Sequence, residues 1–207
     1  MKHLEIDRLR AADLRTDPFV YTVVPGFLRP DSVDRIIETY PDISKGGSYP
    51  LDTLTIPGPL QEVLDELDGP EYEAAIAEKF DVALDGRPKM YSLRGYCRAT
   101  DGKIHTDSKD KIITCLLYMN RDWAEAGGKL RMLRSGTDLE DYAEEVPPDG
   151  GTLLVFKRSD VSFHGHGPFE GVRRSIQMNW MTSENKRAFH KLRHTLSAGL
   201  KRISASA

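Results

Sequence analysis

Residues 173–181 read Arg-Arg-Ser-Ile-Gln-Met-Asn-Trp-Met, and this stretch decides the fold. Polar and apolar residues alternate along it, and side chains two positions apart point to the same side of an extended chain. The stretch therefore predicts a β-strand with one polar face and one apolar face, which should pack against helices. The apolar face holds Ile176, Met178 and Trp180, and the polar face holds Arg173, Ser175, Gln177 and Asn179.

Shorter strand candidates precede this stretch, and glycines and charged turns separate them. They cover residues 89–99, 111–119, 129–133, 152–157 and 161–164. Many short strands at this spacing, after a helical layer, indicate a β-sandwich or barrel of the jelly-roll type. Because a jelly roll has about eight strands, we expect further strands in the weakly patterned segments. The acidic stretch 135–149 is predicted to be a long excursion between strands.

The rest of the chain carries mainly helical patterns. The first third predicts a strand at 19–24, helices at 30–40, 59–67 and 71–84, and a long loop at 41–58. Ser183 is a candidate N-cap for a final helix. The apolar stripe of that helix should cover the sheet, and it comprises Phe189, Leu192, Leu196, Leu200 and Ile203.

These patterns predict an α+β fold with a mainly β core. The expected architecture is a double-stranded β-helix (jelly roll, cupin-like) with N-terminal and C-terminal helices packed on the major sheet. We expect a single domain over residues 1–207. Its predicted parts are an N-terminal helical layer at 1–86, the β-helix core at 87–182 and a C-terminal helix at 183–207.

Composition argues against several classes of protein. The net charge is −3, so neither nucleic acid nor a membrane surface is an expected partner. No stretch approaches the ~20 apolar residues that cross a bilayer, and the start lacks the apolar run of a secretory signal. The two cysteines, Cys97 and Cys115, lie in strand-like segments. They are predicted to be buried free thiols, so the expected location is the cytoplasm.

The triplet His105-Thr106-Asp107 lies between two predicted strands. In an extended segment its imidazole and carboxylate point to the same side and can share one ion. A further histidine, His164, ends a later predicted strand. Two histidines and one carboxylate leave coordination positions open, as in non-haem Fe(II) oxygenases, where a 2-oxo acid and O2 can occupy them. The alternatives are a loop histidine with a turn aspartate, and His166 in place of His164.

The polar face of the 173–181 strand suggests an anchor for that 2-oxo acid. A polar face inside a covered strand is costly unless a ligand satisfies it. Arginine presents two parallel N–H donors to a carboxylate, so Arg173 with Ser175 could hold the distal carboxylate, and Tyr118 could add a hydrogen bond. The alternative is that this face lies in water. Arg174 could replace Arg173, but it shares a face with the apolar residues of the strand.

Taken together, residues 91–182 resemble the prolyl hydroxylase branch of the 2-oxoglutarate oxygenases, which includes the oxygen-sensing prolyl hydroxylases of animals. The resemblance rests on an ordered set of motifs. These are Tyr96-Cys97-Arg98-Ala99-Thr100-Asp101-Gly102, then His105-x-Asp107, Thr114-Cys115-Leu116-Leu117-Tyr118-Met119-Asn120-Arg121-Asp122-Trp123, Gly127-Gly128-Lys129-Leu130-Arg131, Leu153-Leu154-Val155-Phe156, His164, Pro168 and Arg173.

The resemblance implies a role for individual residues. His105, Asp107 and His164 are the implied iron ligands, and Arg173 and Tyr118 the implied binders of the 2-oxoglutarate carboxylate. Arg98 stands near the place where the family often has a tyrosine close to the co-substrate, and this departs from the family pattern. The further residues expected to line the site are Tyr96, Thr114, Leu116, Leu130, Gln177 and Asn179, together with Arg98.

The expected activity is hydroxylation of a C–H bond in a prolyl residue or a small molecule, with release of succinate and CO2. Fe(II), 2-oxoglutarate and O2 are the implied cofactor and co-substrates, and ascorbate is a candidate addition. The partner is therefore expected to be a small-molecule or peptidyl substrate. The rival interpretations are a non-catalytic binding module of cupin type and a metal enzyme on the same fold that does not use 2-oxoglutarate.

Overall fold

The structure is a computed structural model that describes residues 2–190 and residue 192. Its helices are α1 (Ile6–Ala11), α2 (Pro30–Thr39), α3 (Gly58–Asp68) and α4 (Pro70–Phe80). Its strands are β1 (Tyr21–Val24), β2 (Tyr49–Pro50), β3 (Lys89–Cys97), β4 (Lys111–Tyr118), β5 (Leu130–Leu133), β6 (Tyr142–Val146), β7 (Leu153–Lys157), β8 (His164–Gly165) and β9 (Gly171–Met181).

These strands form two antiparallel sheets. The larger sheet has six strands in the order β1-β7-β4-β9-β3-β2, and the smaller has three in the order β6-β5-β8. The long strand β9 lies between β3 and β4, where Ser175 is paired with Arg94 on one side and Tyr118 on the other. The predicted helical layer at 1–86 therefore also supplies β1 and β2, the two edges of the larger sheet.

The main apolar core lies between the helices and one face of the larger sheet. Ile176, Met178 and Trp180 all enter it, as the alternation of β9 predicts. The Trp180 ring is fully buried and stacks on Tyr72 of α4, with ring centroids 5.9 Å apart. Burying one large apolar side chain contributes about 1.5–3 kcal/mol, so this face attaches the helices to the sheet.

The opposite face of the larger sheet packs against the smaller sheet through a second apolar cluster. Its buried members are Phe19, Tyr21, Tyr118, Leu130, Met132, Val146, Leu154 and Phe156. Val146 of β6 and the β5 side chains meet residues of β4 and β7 here. The two sheets thus enclose a space next to the polar face of β9, and the candidate site lies in that space.

Two segments differ from their predictions. Residues 41–58 are not wholly a loop, because they contain β2 and a short 3-10 turn at Leu51–Thr53. The excursion at 135–149 contains β6, which pairs with β5 although its own sequence is acidic. Arg131 of β5 offsets that acidity with a 2.7 Å ion pair to Glu145. Pairing with a neighbour outweighs weak intrinsic strand propensity at such positions.

One helix ends earlier than expected, and the last described helix begins where it was expected. The helix predicted to reach residue 84 ends at Phe80, because Asp81 adopts a left-handed conformation with φ 46° and its N–H bonds back to Ala77 and Glu78. Residues 184–190 are helical, and the Lys186 N–H lies 3.5 Å from the Ser183 hydroxyl. Ser183 thus caps the start of this helix, as predicted, although at the limit of hydrogen-bond distance.

The apolar stripe predicted for the final helix is exposed where the structure describes it. Phe189 and Leu192 are 60% and 59% exposed, so these two residues do not cover the sheet. Leu196, Leu200 and Ile203 lie outside the described residues, as does most of the predicted 183–207 helix. None of the described helices combines the length and apolar character that a membrane crossing requires.

Candidate metal centre and ligand cavity

The structure brings His105, Asp107 and His164 together. His105 lies between β3 and β4, and its backbone pairs with that of His164 through two N–H to carbonyl hydrogen bonds of 3.0 Å each. One ligand atom from each of the three side chains lies within 4.8 Å of the other two. Asp107 and His164 are buried, whereas His105 is exposed. The donor set therefore faces a single point that is open on the His105 side.

Backbone carbonyls orient both imidazoles. Nδ1 of His105 lies 2.8 Å from the Lys103 carbonyl, and Nδ1 of His164 lies 3.0 Å from the Ser162 carbonyl. A carbonyl oxygen only accepts, so each Nδ1 must carry the proton. Nε2 of each ring then keeps its lone pair and is the atom available to a metal ion.

Asp107 is held as an anion although it is buried. Lys111 Nζ lies 2.9 Å from one of its carboxylate oxygens, and the Thr114 hydroxyl donates to the other at 2.5 Å. Burial by itself would raise the pKa of Asp107, but Lys111, His164 and Thr114 outweigh that effect and hold the pKa well below its ordinary value. The carboxylate is thus ready to bind a cation at neutral pH.

A chain of side-chain hydrogen bonds supports Asp107 from β9. The side-chain NH2 of Asn179 donates to the Thr114 hydroxyl at 2.8 Å, and the side-chain NH2 of Gln177 donates to the side-chain oxygen of Asn179 at 3.3 Å. Thr114 and Asn179 are almost fully buried. Such supporting contacts set the direction of a metal-binding carboxylate. Thr114, Asn179 and Gln177, which were predicted to line the site, therefore form one chain of hydrogen bonds that supports Asp107.

The structure separates His164 from His166. Burial lowers the pKa of each to about 4, so both are neutral at pH 7. The Nδ1 atom of His166 donates to the Gly167 carbonyl at 2.8 Å, and its Nε2 lies 3.8 Å from the Cys97 sulfur. Among the described residues, the group close enough to hold a metal ion contains His164 and not His166. His166 instead lines the neighbouring wall.

The three side chains open into a cavity of about 340 Å³. Pockets for small molecules commonly measure about 300–1,000 Å³, so the space suits a small ligand. Of the residues expected from the sequence, Thr114, Leu116, Leu130, His166, Arg173, Ser175 and Gln177 line it beside the three candidate ligands. Arg94, Asp101 and Lys103 also line it and were not among the expected residues.

Arg173 and Ser175 form a polar corner of this cavity, and the fully buried Tyr118 lies against them without lining it. Arg173 donates its Nε–H to the Gly128 carbonyl at 2.7 Å, and its guanidinium lies 5.3 Å from the centre of the Tyr118 ring. Among the described residues, one Arg173 Nη atom, the Tyr118 hydroxyl and the Ser175 hydroxyl are buried without a hydrogen-bond partner. Each buried unpaired group costs about 1–3 kcal/mol, so this corner is built for a ligand that satisfies them.

Arg174 lies on the other face of β9, as the strand alternation predicts. Its guanidinium lies 5.8 Å from the centre of the Tyr40 ring, and its backbone N–H donates to the Asn120 side chain at 2.7 Å. It is half-buried outside the cavity. Between the two arginines, the structure therefore gives the cavity position to Arg173.

Three residues that were predicted to line the site do not line the cavity: Tyr96, Arg98 and Asn179. The Tyr96 hydroxyl donates to Glu170 at 3.2 Å, and the exposed Arg98 forms an ion pair with Asp101 at 2.7 Å. The register of β3 against β9 shifts between Arg94 and Tyr96, so the alternation of faces is broken there. Arg94, two residues before Tyr96, takes the cavity position instead. Its spacing of two residues from Tyr96 is the signal by which the sequence could have indicated this position.

Residues 91–182 match the family model of the 2OG-Fe(II) oxygenase superfamily. This segment runs from β3 to the end of β9 and contains all three candidate metal ligands as well as Arg173 and Tyr118. The comparison with curated protein sequences gives no match.

Several solved structures share the fold at low sequence identity. A Pseudomonas putida prolyl-4-hydroxylase is 20% identical, with a TM-score of 0.55 over 85% of this chain and 90% of that one. The viral collagen prolyl hydroxylase of Paramecium Bursaria Chlorella virus-1, solved as a 2OG complex, is 16% identical, with a TM-score of 0.57 over 79% and 96% of the two chains. HygX from Streptomyces hygroscopicus, solved with nickel and 2-oxoglutarate, is 12% identical, with a TM-score of 0.53 over 79% and 82%. At these identities the likeness concerns the fold.

Proposed function

We propose that this chain, whose residues 91–182 match the model of the 2OG-Fe(II) oxygenase superfamily, is a 2-oxoglutarate-dependent dioxygenase of the prolyl hydroxylase-like kind. It would hydroxylate a C–H bond of a small molecule or a prolyl residue, with release of succinate and CO2. The observation that carries the proposal is the set of unpaired buried atoms on Arg173, Tyr118 and Ser175. Arg173 and Ser175 line the cavity together with the three candidate metal ligands, and Tyr118 lies next to both.

His105, Asp107 and His164 are the residues that would hold iron(II). Two neutral imidazoles and one carboxylate are the donor set of non-haem iron oxygenases, and they leave positions open for further ligands. Both carboxylate oxygens of Asp107 and both Nδ1 atoms already have partners within the chain. The chain thus orients the metal-binding atoms before any ion arrives. Iron and 2-oxoglutarate supply the oxidising chemistry, in which O2 is consumed and the co-substrate becomes succinate and CO2.

Arg173, Tyr118 and Ser175 would bind the distal carboxylate of 2-oxoglutarate. The guanidinium and the two hydroxyls are donors that a carboxylate can satisfy together. Arg173 is nearly fully buried, and the Gly128 carbonyl fixes its side chain through Nε. The anchor is thus positioned and shielded from water before the co-substrate binds, which favours a single orientation of the ligand.

The two sheets are proposed to be the two halves of a double-stranded β-helix whose interior is filled by the cluster around Tyr118 and Phe156. Residues 1–207 would then form one domain, with the β-helix core at 87–182. In this arrangement the polar face of β9 is an inner wall of the barrel, so a ligand rather than solvent satisfies its arginine.

The test is an anaerobic titration of purified protein with Fe(II) and then 2-oxoglutarate. A weak visible charge-transfer band and a 2-oxoglutarate-dependent rise in Tm are expected, and in air the protein should release succinate. Asp107→Ala should abolish both the band and the succinate. His166→Asn is the matched control, because His166 lies beside the triad and not in it.

Absence of the band together with absence of any 2-oxoglutarate-dependent Tm shift would contradict the proposal. A binding module of cupin type would not bind iron and then bind 2-oxoglutarate to the iron-loaded protein. A metal enzyme that does not use 2-oxoglutarate would retain metal but show no change on adding the co-substrate. Metal analysis with and without 2-oxoglutarate therefore separates the three cases.

A further inference from the structure

Arg94 is a second arginine on the cavity wall, next to the Arg173 corner. It is paired across β3 and β9 with Ser175, and Ser175 is paired on its other side with Tyr118. Arg94 and Tyr118 therefore lie on opposite sides of Ser175. Arg173 lies over the Tyr118 ring and donates to the Gly128 carbonyl. The two arginines thus reach one cavity from neighbouring strands, Arg94 from β3 and Arg173 from β9.

The Arg94 guanidinium makes no hydrogen bond or ion pair with any residue in the described ranges 2–190 and 192. Burial lowers the pKa of Arg94, and the neighbouring Arg173 lowers it further. Asp101 attracts Arg94, but both carboxylate oxygens of Asp101 are already bonded to Arg98. The Arg94 side chain is half-buried, and on the wall of a cavity it is a positive group that an anionic ligand can match.

The charges of the loaded cavity indicate what that ligand is. This count rests on the proposed function, since it includes iron(II) and 2-oxoglutarate. Iron(II) and the doubly charged co-substrate cancel, Asp107 is paired with Lys111, and Asp101 is paired with Arg98. Arg94, Lys103 and Arg173 then remain on the lining, so the loaded cavity carries a net positive charge. The distal carboxylate of the co-substrate takes the Arg173 corner and Lys103 is exposed, which leaves Arg94 as the half-buried cation that an anionic substrate can reach.

We propose that Arg94 is a specificity-determining residue that binds the carboxylate of a small carboxylic-acid substrate, such as a free amino acid. A prolyl residue inside a peptide offers only neutral amide groups and cannot supply the missing charge. A free carboxylate supplies it and matches the planar fork of the guanidinium. Arg94 lines the same cavity as the triad, so a substrate of this kind is held beside the metal ligands.

The experiment measures binding rather than turnover. Protein is saturated with Mn(II), which stands in for iron, and with N-oxalylglycine, which stands in for 2-oxoglutarate. The standard free amino acids and their carboxamides are then added singly, and binding is followed by Tm shift and calorimetry. At least one free acid should bind the wild-type protein, and its carboxamide should not.

The variants separate the two arginines. Arg94→Gln should weaken binding of the free acid by at least about 30-fold while leaving N-oxalylglycine affinity within about threefold of wild type. Arg94→Lys should retain part of the free-acid affinity because it keeps the charge. Arg173→Gln should have the opposite pattern: it should weaken N-oxalylglycine binding more than it weakens binding of the free acid. Arg174→Gln is the matched control, since that arginine packs on Tyr40 outside the cavity.

Two results would overturn this inference alone. One is that no free acid binds the loaded wild-type protein; the other is that Arg94→Gln weakens N-oxalylglycine as much as Arg173→Gln does, which would assign both arginines to the co-substrate. A wild-type protein that binds Mn(II) but no N-oxalylglycine would instead overturn the proposed function, and with it the charge count. These outcomes are distinguishable within one set of titrations.

Discussion

Replacing Thr114 with valine should weaken metal binding by about 10–100-fold, the usual effect of removing a group that supports a metal ligand. The substitution keeps the shape of the side chain and removes only the hydroxyl. That hydroxyl donates to Asp107 at 2.5 Å and accepts from Asn179 at 2.8 Å. Without the Thr114 hydroxyl, the Asp107 carboxylate loses one of its two side-chain hydrogen-bond donors, and only Lys111 remains to orient it.

The same change should also destabilise the metal-free protein. A hydrogen bond to a charged group is worth about 1.5–3 kcal/mol, and a buried amide left without an acceptor costs about 1–3 kcal/mol. Thr114 and Asn179 share one network, so the two losses do not simply add. We expect the free energy of unfolding to fall by about 2–4 kcal/mol.

Thr22→Val is the matched control for this prediction. Thr22 is also fully buried in the larger sheet, and its hydroxyl donates to a neutral carbonyl, that of Asp13, at 2.8 Å. Its loss should cost about 0.5–1.5 kcal/mol of stability and leave metal affinity unchanged. Urea unfolding of the metal-free proteins and calorimetric titration with Mn(II) measure both quantities. The reasoning is refuted if Thr114→Val binds Mn(II) as tightly as wild type, or if Thr22→Val weakens binding equally.

Three further results are expected. Tyr118→Phe should raise the Kd for N-oxalylglycine by about tenfold or more through the lost hydrogen bond to a charged carboxylate, yet leave unfolding stability unchanged or higher, because its hydroxyl is buried without a partner. Trp180→Ala should cost about 3–5 kcal/mol in urea unfolding through loss of its packing on Tyr72. The metal-free protein should lose stability as pH falls from about 6.5 to about 4, because the folded-state pKa values of His164 and His166 are about 4 and the unfolded chain therefore binds protons first.

Each of these has a control and a contradicting outcome. For Tyr118→Phe, a lower stability with unchanged ligand affinity would mean that the hydroxyl has a structural partner. For Trp180→Ala, the control is Val172→Ala on the same strand, β9; Val172 is 51% exposed, so this change should alter stability by less than about 0.5 kcal/mol. A Trp180→Ala loss as small as that would contradict the packing argument. For the pH effect, each histidine contributes at most about 3 kcal/mol, and His166→Gln should flatten the profile; an unchanged profile in that variant would contradict the assignment.

The face assignments on β9 could be made from the sequence because alternation is a local property of an extended chain. The same holds for His105 and Asp107, which are two residues apart and therefore point to one side. Ile176 and Trp180 enter the apolar core and Arg173 the cavity, as that rule requires. The match of residues 91–182 to the 2OG-Fe(II) oxygenase superfamily likewise depends on an ordered set of local motifs.

Predictions from residue spacing failed where a contact between residues distant in the sequence changes the local strand structure. The shift in register after Arg94 moves Tyr96 and Arg98 out of the cavity, and only the pairing of β3 with β9 produces it. The acidic strand β6 forms because β5 supplies Arg131 as its counter-charge. Neither effect is visible in a short window of sequence.

The sequence by itself determined which residue types could form a metal centre and which face of each strand they occupy, because both follow from spacing along an extended chain. Only the tertiary structure decided which groups share the cavity. It paired the backbone of His105 with that of His164 rather than His166, placed Lys111 on Asp107, and left Arg94 without a partner beside the triad. These are contacts between residues that chain spacing leaves undetermined, and they depend on how the sheets pair and pack.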